Sequence, residues 1–346
     1  MSEWLQMGAG AILVIVVLLD VFSTVIVPRP THRSARLAPL LGRLIAPAWQ
    51  AAAGRIRSPR LRQDVRGTLA PVLLVMALGT WLLGLSLGFG LILHAQPENV
   101  RAESTSMAES VFQAAMALST LGVVGADVDG SARAVVAIAG LAGFAVLTLV
   151  ITFLISIQSA LHRREQHVLQ LETRAGRPPS ATRLLTALGR DDAVLGDFFD
   201  GWEGWTADVM QSHLAYPILC RFRSLDEDGE WLTCLGTVLD AAALTIARCG
   251  PESGGAARPA GFLLATAERA LHELARLLGA TPDEERNWAP RWSAHPHLVD
   301  ALGERDARRE EDFVALRRRY APHVCALAGR LDVIWHDPLE RRDGGC

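Results

Sequence analysis

The chain has 346 residues, a formal net charge of -3, 50% hydrophobic residues and a mean hydropathy of +0.22. This length allows two domains, and the apolar excess is concentrated before Leu161, whereas most of the acidic residues follow it. The five cysteines form no C-x-x-C pair, which argues against a disulfide framework or a zinc site and predicts reduced thiols.

Three apolar stretches are long enough to cross a bilayer, which requires roughly 20 residues. The first stretch has no basic start and no small-residue cleavage site, and Asp20 interrupts it, which favours a membrane helix over a signal peptide. The predicted spans cover about Leu5–Val27, Thr68–His94 and Ala134–Ala160.

The distribution of arginine predicts the orientation of these spans. The segment between the first two spans carries nine arginines against one acid, Asp64, which places it in the cytoplasm. The segment between the second and third spans is acidic and is expected outside, while Arg163 and Arg164 close the third span on the inside. We therefore expect the N-terminus outside and the C-terminal half in the cytoplasm.

The basic segment between the first two spans contains a helical pattern of its own. Apolar residues from Leu37 to Ala52 recur at helical spacing beside Trp49, although Pro39 and Pro47 favour a kink or a break. An apolar stripe flanked by arginines is typical of a helix that lies on the inner leaflet. Packing of this helix on the cytosolic domain is the alternative.

The segment between the second and third spans contains a helix that is too short to cross. Ser106–Leu118 would be about 20 Å long, and Ser106 followed by Glu109 is a capping-box start. A Gly-containing stretch follows, Ser119-Thr-Leu-Gly-Val-Val-Gly-Ala-Asp127. A short helix and an irregular return between two spans indicate a re-entrant loop, which membranes tolerate only when it is buried in protein or lines a cavity.

This order of span, short helix, T-x-G stretch, Asp and span resembles the pore module of the potassium-channel superfamily. DVFSTVIVPR from Asp20, LETRAGRPPSATRLL from Leu171, SHLAYPILCRFRS and WLTCLGTVLDAAAL extend the likeness to a bacterial three-span branch of that superfamily. The resemblance implies an all-α membrane protein of a bacterial inner membrane. It also implies a filter whose backbone carbonyls replace the water shell of the ion.

The expected filter departs from the T-V-G-Y-G pattern of that superfamily. Its glycines allow inward-pointing carbonyls, and a β-branched residue is a poor substitute. Val123 stands where that pattern has its aromatic residue. The second glycine is either replaced by Val124 or displaced by one residue to Gly125. A pore is expected, with relaxed selectivity or no conduction. The candidate ion pathway is Thr120, Leu121, Gly122, Val123, Val124, Gly125 and Asp127.

Further residues are candidates for the ion path or for its support. Gly140 and Gly143 of the third span would let an inner helix bend at a gate, or they would allow close helix packing. Asp127 with Glu109 and Asp129 would attract cations at the outer mouth, or would be solvated.

Asp20 is an acidic residue that lies well inside the first predicted span. Such a group usually faces a partner or a cavity. The expectation is that it pairs with Arg29 or Arg66, or with Ser23 and Thr24, and locks the first span to the core. Direct ion binding is the alternative.

The residues after Arg163 predict a helical bundle. His295-Pro-His297 is a weak metal hint, and no nucleotide-binding loop or catalytic constellation stands out, so we expect no enzyme, no metal and no resident cofactor. Charges near Arg317 are expected to pair with the acidic run Glu304–Asp312 or to be solvated, rather than to bind nucleic acid. Expected helices cover Ala181–Leu188, Asp192–Arg223, Glu230–Cys249, Ala260–Leu278 and Arg309–Trp335.

These features predict a channel chain of three parts. Residues 1–66 form the first span and the basic helix, 67–161 the pore module and 162–346 the cytosolic domain. With one pore loop per chain, a homotetramer in membrane lipid is expected to pass monovalent cations, K⁺ first, gated by the inner helix and the cytosolic domain. The alternative is a non-conducting membrane-anchored sensor that retains the architecture. No ligand of the cytosolic domain is predicted.

Overall fold

The structure is a computed structural model, and it describes residues 3–26, 37–58, 61, 65, 67–102, 106–121, 126–224, 230–250, 254–290, 306–331 and 333. The chain divides into two compact units, Met1–Ile157 and Gln158–Cys346. Each unit has its own buried core. The predicted boundaries at residues 66 and 161 stay predictions.

The first unit is built of helices and one short antiparallel ribbon. A 3₁₀ turn at Pro97–Asn99 precedes the ribbon, and the last helix continues beyond Ile157 into the second unit. The elements are α1 (Glu3–Val25), α2 (Leu37–Gly54), α3 (Leu69–His94), β1 (Val100–Ala102), α4 (Met107–Leu118), β2 (Ala126–Val128) and α5 (Gly130–Ala175).

The remaining elements of the second unit are helices throughout its described part. The predicted helix Asp192–Arg223 ends at Ala215, before Pro217, and a 3₁₀ turn, Pro217–Arg221, follows it. The predicted helix Arg309–Trp335 is two helices. The elements are α6 (Ala181–Leu188), α7 (Asp192–Ala215), α8 (Trp231–Cys249), α9 (Ala257–Leu278), α10 (Ala307–Arg317) and α11 (Ala321–Leu331).

Four helices of the described chain are long and apolar enough to span a membrane: α1, α3, α5 and α8. The apolar windows of the first three are 33%, 39% and 22% buried, so their outer faces remain apolar and exposed. The window of α8 is 89% buried inside the second unit, which makes it the central helix of that core. The expected membrane-embedded, predominantly helical protein is therefore confirmed, while the pore module stays a prediction.

Glycines bring α1 and α3 into backbone contact. A Cβ atom at Gly10 would lie 2.6 Å from the carbonyl oxygen of Gly88, and one at Gly84 would lie 2.8 Å from Val17. Residue numbers rise along α1 as those of their partners fall along α3, so the two helices are antiparallel. Gly84 and Gly88 form a G-x-x-x-G pattern, which is typical of close packing between membrane helices.

The core of the second unit contains a buried ion pair. The Arg317 guanidinium of α10 donates to Asp240 of α8 at 3.2 Å, and the Tyr320 hydroxyl donates to the same carboxylate at 2.6 Å. Arg317 also donates to the backbone carbonyl of Trp288. The charge of Arg317 is thus paired, and the partner shown here, Asp240, lies outside the acidic run that is near Arg317 in the sequence. Cys220 and Cys234 are buried free thiols, as expected, but Cys325 is disulfide-bonded.

Candidate functional site

The segment with the expected pore helix begins and ends at the same place in the fold. Strands β1 and β2 pair antiparallel, with Val100 opposite Val128 and Ala102 opposite Ala126. α3 ends shortly before β1, and α5 begins shortly after β2. We call this end of the first unit, with His94, the ribbon and Gly130, the ribbon end.

The N-terminus of α4 is fixed close to the ribbon end. The Ser106 hydroxyl accepts the backbone N–H of Glu109 at 3.2 Å, which confirms the predicted helix start. The Ser110 hydroxyl lies 3.4 Å from Nδ1 of His94, the last residue of α3. A Cβ atom at Gly90 would lie 2.8 Å from the Cα atom of Val111, so the first turn of α4 packs directly on the backbone of α3.

The C-terminus of α4 is held deep along α5. A Cβ atom at Gly143 would overlap the carbonyl of Leu118, with the Leu118 Cα atom 2.8 Å away. A Cβ atom at Gly140 would lie 3.6 Å from the carbonyl oxygen of Ala117, which is ordinary contact. The close-packing alternative therefore accounts for Gly143. The role of either glycine as a gating hinge stays a prediction.

These contacts place the two ends of α4 far apart along α5. Gly143 lies about 20 Å along α5 from its start at Gly130, and α4 itself is about 18 Å long. The chain thus runs about 20 Å away from the ribbon end along α4. It is back at the ribbon end at Ala126, eight residues after Leu118.

The return begins with an unusual backbone conformation. Thr120 has φ +63°, the left-handed region that a β-branched residue rarely adopts. It follows the end of α4, where the N–H groups of Ser119 and Thr120 bond to the carbonyls of Ala115 and Ala117. Residues 119–121 are exposed, Leu121 by 70%. Sparsely populated backbone conformations concentrate at functional sites.

The rest of the candidate filter lies largely outside the described residues. This applies to Gly122, Val123, Val124 and Gly125. The backbone of Asp127 lies in β2, opposite Arg101. Among the other acids, Asp129 forms an ion pair with Arg133 at 3.2 Å, which weakens its expected effect on cations.

The buried acid of α1 has a partner that the sequence analysis does not name. Asp20 is 6% exposed, and its Oδ2 atom accepts a hydrogen bond of 2.7 Å from the indole N–H of Trp81 on α3. The Ser23 hydroxyl donates to the backbone carbonyl of Asp20 rather than to its carboxylate. The expected partners Arg29 and Arg66 lie outside the described residues. The contact joins α1 to α3 inside the membrane half.

A second feature is a stripe of hydroxyl groups on α5, of which the sequence alone suggests only Ser156, at the cytosolic end of the inner helix. Thr148, Thr152 and Ser156 recur every four residues and bond to the carbonyls four residues earlier, at 2.9 to 3.0 Å. The two threonines are exposed in the single chain. The packed face of α5, with Val146 and Val150, lies on the opposite side of the helix. The hydroxyl spacing was visible in the sequence.

Two adjacent arginines of α5 bind other elements of the second unit. Arg163 is exposed and makes a two-pronged pair with Asp208 of α7, both contacts at 3.1 Å. Arg164 is 1% exposed, and its guanidinium donates to the carbonyls of Leu219 and Phe222 at 3.2 and 3.0 Å. It thereby caps the end of the 3₁₀ turn that follows α7.

A neutral histidine completes the surroundings of Arg164. Burial, and then the neighbouring Arg164 guanidinium, lower the pKa of His213 to about 3. The uncharged ring places Nε2 3.3 Å from the guanidinium, and since arginine only donates, Nε2 accepts and the ring proton lies on Nδ1. The indole N–H of Trp205 donates to the carbonyl of Arg164. These buried contacts join α5 to α7 and to the 3₁₀ turn of the second unit.

Within the described residues, no group of three or more His, Cys, Asp or Glu side chains is placed to hold a metal ion. His295 and His297 lie outside that part of the chain. No family model, no curated protein and no solved structure matches this chain.

Proposed function

We propose that the chain is the subunit of a homotetrameric channel for monovalent cations in a bacterial inner membrane. The observation that carries the proposal is that β1 and β2 pair in one ribbon, while the helix α4 that lies between them in the chain packs on α3 and α5. In hydrocarbon, backbone without regular hydrogen bonds survives only when protein covers it or water reaches it. Residues 119–121 are exposed in the single chain, so further copies and a water-filled path are needed to complete the site.

The polarity of α4 supports a cation as the permeant ion. The C-terminus of a helix carries a partial negative charge from its unpaired carbonyls. Here that end lies against Gly143 of α5, just before Thr120. The hydroxyl stripe of Thr148 and Thr152, on the exposed face of α5, would line the continuation of the path. We expect K⁺ to be the permeant ion. Na⁺ passes as well if Val123 and Val124 make the filter less selective.

Gating is assigned to α5 and to the second unit. α5 runs without interruption from Gly130 to Ala175. The second unit holds its later part through Arg163 and Arg164. A change in the 3₁₀ turn at Pro217–Arg221 would therefore act directly on α5. The ligand or partner that would cause such a change is open.

The test is ion flux from liposomes that contain the purified chain. We expect K⁺ efflux above that of empty liposomes, with a K⁺ to Na⁺ ratio that rises in the double variant Val123→Tyr, Val124→Gly. That variant restores the residues that the resemblance implies for a selective filter. The proposal fails if neither protein passes K⁺ or Na⁺. A subunit count of one or two in detergent would also contradict it.

A non-conducting membrane-anchored sensor is the second candidate. The two valines at the positions expected to hold an aromatic residue and a glycine favour it. Flux in the restored variant but none in the natural chain would support this candidate, because the architecture would then be competent and the filter closed. Equal flux in both proteins would exclude it.

A further inference from the structure

Helix α2 is apolar and most of its described side chains are exposed, yet it is not among the four candidate spans of the described chain. Leu40 and Leu44, four residues apart on one face, are 51% and 66% exposed. Ala48 and Ala51 are also exposed. An apolar helix of this kind is stable when its face lies in the boundary between headgroups and acyl chains.

The position of α2 is fixed by a joint with the start of α3. The indole N–H of Trp49 donates to the carbonyl of Val65 at 2.8 Å, and the Thr68 hydroxyl donates to the same carbonyl at 2.8 Å. Thr68 directly precedes α3, and Ala53 of α2 is fully buried. α2 is thereby held at the level where a membrane-spanning helix begins, which is the level of the lipid headgroups.

Positive charge follows α2 at this level. Its last turn is continued by hydrogen bonds from the N–H groups of Arg55 and Ile56, and Arg55 and Arg57 are both exposed. The whole segment between α1 and α3 carries nine arginines against the single acid Asp64. An arginine near an anionic membrane surface gains about 1 kcal/mol, whereas a zwitterionic surface offers no such gain.

We propose that α2 with Arg55 and Arg57 is a binding surface for the headgroups of anionic phospholipids in the inner leaflet. The apolar face sets the depth of the helix, and the two arginines select lipids by charge. This surface is independent of the proposed channel activity, because it uses none of the residues between β1 and β2. A second copy of the chain or another protein on this face is the competing occupant.

The test is competition between phosphatidylglycerol and phosphatidylcholine of equal chain length for the purified full chain, read by native mass spectrometry. The natural chain should retain phosphatidylglycerol preferentially. In the variant Arg55→Gln, Arg57→Gln, the preference for phosphatidylglycerol over phosphatidylcholine should fall about fivefold per arginine, about 30-fold in all. Both side chains are exposed, so the variant should fold. Arg190→Gln, Arg258→Gln is the matched control, since both residues are exposed in the second unit.

Equal retention of the two lipids by the natural chain would overturn the proposal. So would an equal loss of preference in the control variant, which would show an effect of net charge alone. Independently of any variant, raising the salt concentration from about 0.05 to 0.5 M should lower the preference, because salt screens exposed charges. A preference that does not respond to salt would contradict selection by charge.

Discussion

Replacing Gly143 with alanine tests how α4 is seated on α5. The added methyl group would overlap the backbone carbonyl of Leu118, with the carbonyl carbon 2.7 Å away. A backbone group at the end of a packed helix cannot rotate aside as a flexible side chain would. The helix α4 must therefore shift away from α5, and residues 119–121 must shift with it.

The cost follows from two opposing terms. An extra methyl group in a packed core costs about 1–3 kcal/mol, and the fixed position of the Leu118 carbonyl favours the upper value. Replacing glycine with alanine inside a helix stabilises the folded protein by about 1 kcal/mol. The net loss of stability at Gly143 is thus about 2 kcal/mol. At Gly140, where the methyl group makes an ordinary contact with Ala117, only the gain of about 1 kcal/mol remains.

Both variants are measured by the fraction of protein that remains folded after heating in detergent. At about 2–4 °C per kcal/mol, Gly143→Ala should lower the midpoint by about 4–8 °C, and Gly140→Ala should raise it by about 2–4 °C. Ion flux should fall in Gly143→Ala and persist in Gly140→Ala. Two equally stable variants that both lose flux would refute the packing argument and would favour a hinge at both glycines.

Three further predictions concern buried polar groups. Trp81→Phe removes the indole N–H from the Asp20 carboxylate and should cost about 2 kcal/mol, read as a lower midpoint of heat inactivation. Arg164→Gln should cost about 3 kcal/mol or more, whereas Arg163→Gln, at an exposed pair, should cost at most about 1 kcal/mol in the same assay. Because the pKa of His213 is lowered in the folded protein, its stabilising contribution is complete above pH 6.5. That contribution is lost as the pH falls toward about 3, by about 1.4 kcal/mol per pH unit, and His213→Asn should flatten this dependence.

Each of these predictions has a control on the same chain. Trp4 is 80% exposed, and Trp4→Phe should leave stability unchanged. An Arg163 variant as unstable as the Arg164 variant would contradict the special role given to the buried guanidinium. His162 is exposed, so His162→Asn should keep the natural dependence on pH, and a natural chain equally stable at pH 7 and pH 5 would refute the shift at His213.

The helices were largely predictable because their signals are local. Apolar length marks α1, α3 and α5, and the cap at Ser106 marks the start of α4. The errors also have local causes: Pro217 ends α7 early, and Pro322 follows the turn that separates α10 from α11. Hydropathy alone does not distinguish α8 from a span, because a fully buried core helix and a membrane helix both lack a polar face.

The candidate site was less predictable because its contacts join distant parts of the chain. Asp20 and Trp81 meet only when α1 and α3 pack antiparallel, and no local pattern gives that register. Arg164 looks like a solvated residue in the sequence, since, apart from the adjacent Glu165, the hydrogen-bond partners of its guanidinium lie 49 to 58 residues further along the chain. The sequence marks Gly143 as either a gating hinge or a packing residue. Only the position of the Leu118 carbonyl in the structure favours packing.

The ribbon brings together the two ends of the chain segment that lies between its strands. Ala102 and Ala126 lie side by side, roughly 5 Å apart. Residues 103–125 therefore form an insert whose two ends meet, so its length can change without rerouting the chain around it. An exchanged insert must still supply a helix that packs on Gly90 of α3 and Gly143 of α5.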